Sequence, residues 1–447
     1  MKQDFNKSNP HAHSAPFTVD PAYCVAKKLP ESEGLSLCSE SPPGACWLYL
    51  SGDIAAHLFN RMRREAFSVC KNVFHPGEFR NFRPTLYARR MLSLPALPGK
   101  AVVRFFCSGQ ATLKINGMTL FSLAFPARPE ACEIDFLPYL KTGDNEIVLV
   151  VQSLGEPPAL LAQGDFLETD ARWVVSSDAV NWYRPDCMPC AGLERFPHQE
   201  NLPELILTAK SMGDGLYDFG TETFGRPLVS VQGHGALTMH VGESVPEALA
   251  TAVHAGEQFI PPLVRSGGTY ACETNLALRY IHLVHPPDLR VEAVKLAAVL
   301  YPARYKGAFA CSDDTLTDIW MRAAYTLRLC MRWLCVDGLK RDRLPWGGDL
   351  YMSGLVNNYS FHDKGLMQRS LMGLYGEGPE TMDVNGIVDY SFFWVIALRD
   401  HHMHFGDTLF LDQLRPLLQR LLKSFAARCD STGCIPTRKG EWVFIDW

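Results

Sequence analysis

The stretch Asp337-Gly-Leu-Lys-Arg-Asp-Arg-Leu-Pro-Trp-Gly-Gly-Asp349 sets three carboxylates, three cations and one indole within thirteen residues. Asp337, Asp342 and Asp349 cannot share one solvated helix face with Lys340, Arg341 and Arg343 while Pro345 and the pair Gly347-Gly348 interrupt the run. The segment therefore reads as a loop running into a helix, where a rigid scaffold commonly displays a site. Its composition also fits a charged surface loop closed by local ion pairs. Trp346 adds a second possibility, because an indole among acids and small residues makes a flat apolar platform for a sugar ring whose hydroxyls the acids can grip.

On either side of this loop the chain reads as helical. Ser312 can cap a helix whose first turn carries Asp313 and Asp314 and whose apolar positions Leu316, Ile319, Trp320, Ala323 and Leu327 follow helical spacing, ending near Asp337. Four further patterns follow, around 350–359, 366–375, 388–404 and 408–429. In the last, Leu411, Leu414, Leu418, Leu421, Leu422 and Phe425 mark one face, Asp407 is the N-cap and Gly433 the stop. Asp389-Tyr390 and Phe392-Phe393-Trp394 fit an inner helix, where aromatics usually serve the core.

Before residue 309 the period is two. From Trp47 to about Leu160 short strands alternate with turns, including a hairpin signal at Asn116-Gly117, and the spacing predicts a β-sandwich or jelly roll. A second β-rich region runs from about Arg172 to Tyr305, with Leu237, Met239 and Val241 and then Leu278, Tyr280, His282 and Val284 alternating. The expected organisation is an arm over 1–43, a β-sandwich over 44–170 that scaffolds or binds carbohydrate, a second sandwich over 171–308, and an all-helical region over 309–447.

The formal charge of -5 and a pI near 6.3 give no electrostatic case for nucleic acid or an anionic membrane. No apolar run approaches a membrane span, and Met1 to Pro16 lacks the apolar core of a signal peptide, so a cytoplasmic protein is expected. The fourteen cysteines are scattered, and Cys187-Met-Pro-Cys190 is a lone CxxC without a second pair. Most read as buried thiols, and neither these cysteines nor His11, His13 and His401-His402-Met403-His404 carry a metal-binding pattern. No cofactor is expected.

At the opening loop the sequence resembles the α-L-rhamnosidases of glycoside hydrolase family 78. Their motif is an Asp, an acidic residue five positions on between two arginines, a Trp four later and an Asp three after that. Asp337, Arg341, Asp342, Arg343, Trp346 and Asp349 match it, and a weaker resemblance runs from about Tyr217 to the last residue, including Tyr217-Asp-Phe-Gly220 and Phe224-Gly225. The resemblance implies a fold of two β-sandwich-type domains followed by an (α/α)6 toroid. That toroid is expected to be incomplete, since it needs twelve helices and about five are legible.

The resemblance further implies inverting hydrolysis of terminal α-L-rhamnose from a rhamnose-containing glycoside or oligosaccharide. Asp342 stands where the general acid sits, and Asp337, Arg341, Arg343, Trp346 and Asp349 stand where the family holds the ring. The family more often has Glu at the acid position. Asp is one methylene shorter, which sets the donor back by about 1 Å, a misplacement that can cost on the order of 100-fold in rate.

An inverting enzyme also needs a second carboxylate to activate water. The family's base lies far downstream, so it is expected to be missing from this chain, whose only late acids are Glu441 and Asp446. The closing segment resembles the family's Asp-Trp stretch, which makes Trp447 either a pocket platform or a core aromatic at a helix end. The other reading of the whole chain is a non-catalytic carbohydrate-binding or scaffold protein. With helices missing, the Leu411–Phe425 face should lack neighbours and favour aggregation or pairing.

Overall fold

The computed structural model describes residues 44–71, 73, 81–190, 192–250, 257–375 and 383–436. The expected arm over 1–43, together with Glu441, Asp446 and Trp447, lies outside the described residues.

The first β-domain packs two antiparallel five-stranded sheets face to face. Its strands are β1 (Cys46–Tyr49), β2 (Thr85–Leu94), β3 (Val102–Cys107), β4 (Gln110–Ile115), β5 (Met118–Ala124), β6 (Cys132–Asp135), β7 (Gly143–Gln152), β8 (Leu160–Gln163), β9 (Val174–Ser176) and β10 (Asp186–Pro189). The sheet orders are β10-β1-β8-β3-β6 and β5-β4-β7-β2-β9. Alternating inward residues such as Val103, Phe105, Leu113, Ile147, Leu149 and Val151 form the core between them. Asn116 and Gly117, at φ 51° and 83°, make the expected two-residue hairpin, with Ile115 opposite Met118. Because β9 pairs with β2 and β10 with β1, the sandwich runs past residue 170, and Cys187 and its neighbours are strand residues of its edge.

One long element inside this region of expected strands is a helix. Helix α1 (Asp53–Val69) follows β1, and Ile54, Ala55, Leu58, Phe59, Met62, Ala66 and Val69 recur at helical spacing and are buried. Most of that stripe joins the core of the C-terminal helices rather than the sandwich core.

The second region differs from the expected sandwich. Its strands are β11 (Glu204–Thr208), β12 (Lys210–Gly213), β13 (Leu216–Gly233), β14 (Thr238–Gly242), β15 (Val264–Ser266), β16 (Thr269–Ala271), β17 (Leu276–Val284) and β18 (Leu289–Val299), with the short helix α2 (Val245–Leu249) after β14. They form one antiparallel eight-stranded sheet, not two. β13 is long enough to serve both halves. Its first part pairs with β17, its second with β18 and β16, and a register irregularity between Asp218 and Thr223 lets it bend. Both halves contribute to a main core that includes Val229, Val294, Leu296, Leu278 and Ile281.

Five helices follow among the described residues: α3 (Asp314–Cys330), α4 (Gly347–Tyr359), α5 (Lys364–Tyr375), α6 (Val388–Phe405) and α7 (Thr408–Arg428). The cap of α3 is Asp313, whose carboxylate accepts from the Thr315 N–H at 2.8 Å, and not Ser312. The helix stops at Cys330, short of Asp337, and Leu316 and Ile319 are about half exposed. Asp407 caps α7 as expected, accepting from the Phe410 N–H. Part of the apolar face of α7 finds neighbours, since Leu414, Leu421 and Phe425 are buried and the Phe425 ring stacks 4.2 Å from Phe392 of α6, while Leu422 stays exposed. α6 lies along α4, and α5 packs on α1.

Candidate active site

Between α3 and α4 the chain makes a tight hairpin, closed by a bridge between Met331 and Cys335, and then the acidic loop. The hairpin is anchored by the Ser370 hydroxyl of α5, which accepts the Cys335 N–H at 2.8 Å. The loop is pinched at its neck, where Asp337 and Leu344 exchange bonds. The Asp337 N–H donates to the Leu344 carbonyl at 3.1 Å, and the Leu344 N–H donates to Asp337 Oδ1 at 3.0 Å.

At the tip, Asp342 and Arg343 both take left-handed backbone, at φ 54° and 55°, and the Arg343 N–H turns back onto the Arg341 carbonyl at 2.6 Å. Side chains with a Cβ resist that conformation, at a cost on the order of 1–3 kcal/mol each, and such strain concentrates at functional sites. Asp342 is only 5% exposed despite its position at a loop tip, while Arg341 beside it is exposed.

Arg343, expected to help hold a sugar, is used otherwise. It is buried, and its Nε donates to Leu339 O at 2.8 Å, Nη1 to Asn275 O at 3.2 Å and Nη2 to Gln258 Oε1 at 3.1 Å. Gln258 in turn bonds both backbone groups of Ala277 on β17. With all three nitrogens so engaged, and its plane over Phe224 of β13, Arg343 braces the loop against the sheet. The left-handed turn is what swings the side chain under the loop.

Trp346 stands at the N-cap of α4, 7% exposed, with its ring edge-on to Tyr390 of α6 at 6.0 Å. It is core to the helix pair more than an open platform. The Gly347-Gly348 pair allows this contact, because a Cβ at either position would come within 2.9 Å of Tyr390. The Gly347 N–H at the helix start donates to Asn385 Oδ1 at 2.8 Å. Asp349 lies in the first turn of α4, where its charge complements the helix dipole.

The charges of Asp342 and Asp349 both reach Asp337. Burial pushes Asp337 up to about 8, opposed by the N–H bond from Leu344 and reinforced by the charges of Asp342 and Asp349. This predicts a pH dependence. The unfolded carboxyl loses its proton near 3.9 and the folded one near 8, so over that interval the folded state binds more protons and stability falls as pH rises. Asp337→Asn keeps the acceptor for Leu344 and removes the ionisation. Urea unfolding should find the variant more stable than wild type at pH 9, on the order of 1–4 kcal/mol after allowing for partial exposure, and nearly equal at pH 4. Parallel pH profiles for the two proteins would refute this assignment.

Residues that sequence reading missed come from the second β-domain. Lys340 is held by Glu247 of α2 at 2.5 Å and Glu243 at 3.2 Å, and these pairs hold its charge above the ordinary lysine range against the opposing effect of burial. Glu222 of β13 sits near them, its carboxyl raised by burial and then by Glu243. No local pattern marks these glutamates, which lie about a hundred residues before the loop they contact.

The acid-rich, strained loop thus lies between two helices and is braced by the antiparallel second β-domain. Residues 304–447 match the family model described as the bacterial alpha-L-rhamnosidase 6 hairpin glycosidase domain. That match covers about a third of the chain, and over it the sequence is similar to this glycosidase domain.

Among solved structures, the chain is similar to the GH78 family rhamnosidase of Bacillus sp. GL1, at 17% identity and TM-score 0.45, covering 92% of this chain and 50% of that one. It is also similar to a rhamnosidase from Klebsiella oxytoca with rhamnose bound, at 23% identity and TM-score 0.45, covering 60% and 56%. A third is Streptomyces avermitilis alpha-L-rhamnosidase complexed with L-rhamnose, at 16% identity and TM-score 0.45, covering 78% and 42%. The chain spans about half the length of these structures. No curated protein matches it.

Proposed function

We propose that this chain carries the acid half of a glycosidase site that removes terminal α-L-rhamnose from rhamnosides by an inverting route. The observation that carries the reading is the loop over 337–349, inside the matched domain, which holds Asp342 buried on strained backbone with Asp337 and Asp349 close enough to act electrostatically. Asp342 serves as the general acid to the leaving oxygen. Asp337, neutral at physiological pH, donates a hydrogen bond to a ring hydroxyl, and Asp349 and Arg341 complete the polar grip. Trp346 contributes an edge to the apolar floor. Arg343 supports the loop without touching the sugar, and the water-activating base comes from outside the described residues.

The test is hydrolysis of an aryl α-L-rhamnoside set against the matching β-D-glucoside, with the first-formed anomer followed by NMR. Turnover of the rhamnoside with release of the β-anomer supports the reading. Binding of rhamnose without turnover would move the protein to the non-catalytic, sugar-binding class.

A further inference from the structure

Arg332, in the hairpin that precedes the acidic loop, is 6% exposed and held from two sides. Its Nη1 donates to the Val299 carbonyl of β18 at 2.9 Å, and its guanidinium lies over the Phe224 ring at 3.8 Å. The other edge is not used. Nε and Nη2 are buried and have no hydrogen-bond partner among the described residues. Burial draws this guanidinium down to about 9, a fall that the charge of Glu65 only partly opposes.

The unused edge is the one that the protein elsewhere gives to a carboxylate. Nε and Nη2 of Arg83 both meet Asp53, at 3.1 and 2.8 Å, and the same two nitrogens of Arg279 take the two oxygens of Asp218, at 2.9 and 3.1 Å. Two parallel N–H groups match the spacing of carboxylate oxygens, which makes this edge selective.

Arg332 lines a cavity of about 340 Å³ between α1, the second β-domain and the hairpin, a size suited to a small molecule. Phe224 and Trp333 give it a buried aromatic wall, and Asn201 and Glu273 form an exposed mouth. Most of its acids are already taken. Glu204 pairs with Arg226 at 2.8 Å, and Glu65 lies 3.7 Å from Arg343 while accepting from Asn275 Nδ2 at 2.9 Å. With Arg61 also on the wall, the cavity is left net positive.

We propose that this cavity binds a small carboxylate, gripped side-on by Nε and Nη2 of Arg332 with its apolar part against Phe224 and Trp333. The site adjoins the base of the acidic loop, whose Arg343 lines it, and does not depend on the hydrolytic reading.

Thermal unfolding and calorimetric titration of the whole protein with sodium benzoate and sodium acetate test it, with phosphate and chloride at matched ionic strength. Benzoate is expected to raise the melting temperature saturably and to bind more tightly than acetate, with phosphate and chloride without saturable effect. Arg332→Gln should weaken benzoate by about 10-fold or more, the worth of a charged double hydrogen bond, while melting no lower than wild type without ligand, because an uncompensated buried charge is gone.

Should Arg332→Gln fail to fold, Glu273→Lys at the exposed mouth carries the test and should tighten benzoate several-fold. The proposal is overturned if no carboxylate binds saturably, or if phosphate and chloride act equally. It is also overturned if Arg332→Gln, or Glu273→Lys in its place, leaves the affinity unchanged. Binding that appears only in Glu65→Gln would show that Glu65 fills the fork in solution, which also overturns it.

Discussion

Asp342→Asn is expected to lower the turnover of an alkyl α-L-rhamnoside by about 10²- to 10⁴-fold, the usual contribution of a positioned general acid. The size should depend on the leaving group. A nitrophenolate departs without a proton, so its hydrolysis should suffer least, whereas an alkyl glycoside that must be protonated should suffer most. The alkaline limb of the pH–rate profile should disappear with the ionisable group. Asparagine suits this test because it tolerates left-handed backbone better than most residues, so the φ of 54° at position 342 is retained and the loss reports chemistry. Steady-state kinetics over a series of leaving groups reads the effect, and an equal loss for every leaving group would remove Asp342 from proton transfer.

Arg343→Ala should produce the largest loss of stability of any change in the loop, about 3–5 kcal/mol, because it breaks a buried, hydrogen-bonded charge. Three acceptors would lose their donor at once: Leu339 O within the loop, Asn275 O, and Gln258 Oε1. Each buried acceptor left bare costs about 1–3 kcal/mol. Removing the guanidinium also uncovers one face of Phe224. Arg343→Lys should recover only part of the loss, since an ammonium cannot reach three acceptors lying in one plane. Because Arg343 follows Asp342, the variant that folds should still have a displaced acid and a reduced kcat. Denaturant unfolding measures the first effect and kinetics the second. Wild-type stability in Arg343→Ala would contradict the bracing role.

How much of this was legible before folding depends on the range of the interactions involved. The helices over 347–428 were readable because each carries its own period, and the Asn116-Gly117 hairpin because its backbone demand falls on the residues that form it. Helix α1 was hidden among strands, although its stripe from Ile54 to Val69 is regular. The single sheet of the second β-domain was not readable, because alternation along β13 looks the same whether its partners form one sheet or two. In the loop, residue types and spacing picked out Asp337, Asp342 and Asp349 as a group. What each does depends on desolvation and on distant partners. Asp337 owes its raised proton affinity first to burial, and Arg343 turns to Gln258 and Asn275, neither of them near it in the chain.

The placement of α1 has a consequence for how the molecule is made. Its apolar stripe ends at Val69, yet it packs on α5, which begins at Lys364. Nearly three hundred residues must be translated before that cover exists, and at 5–20 residues per second this is a wait of about 15 to 60 seconds. The sandwich can close around the helix in the meantime, leaving Leu58, Phe59 and Met62 as a sticky flank on a nascent chain. High contact order of this kind slows the final docking step and makes the flank a natural client surface for a ribosome-associated chaperone. Synonymous codon changes that slow elongation between residues 70 and 364 should therefore lower the soluble yield without altering a single side chain.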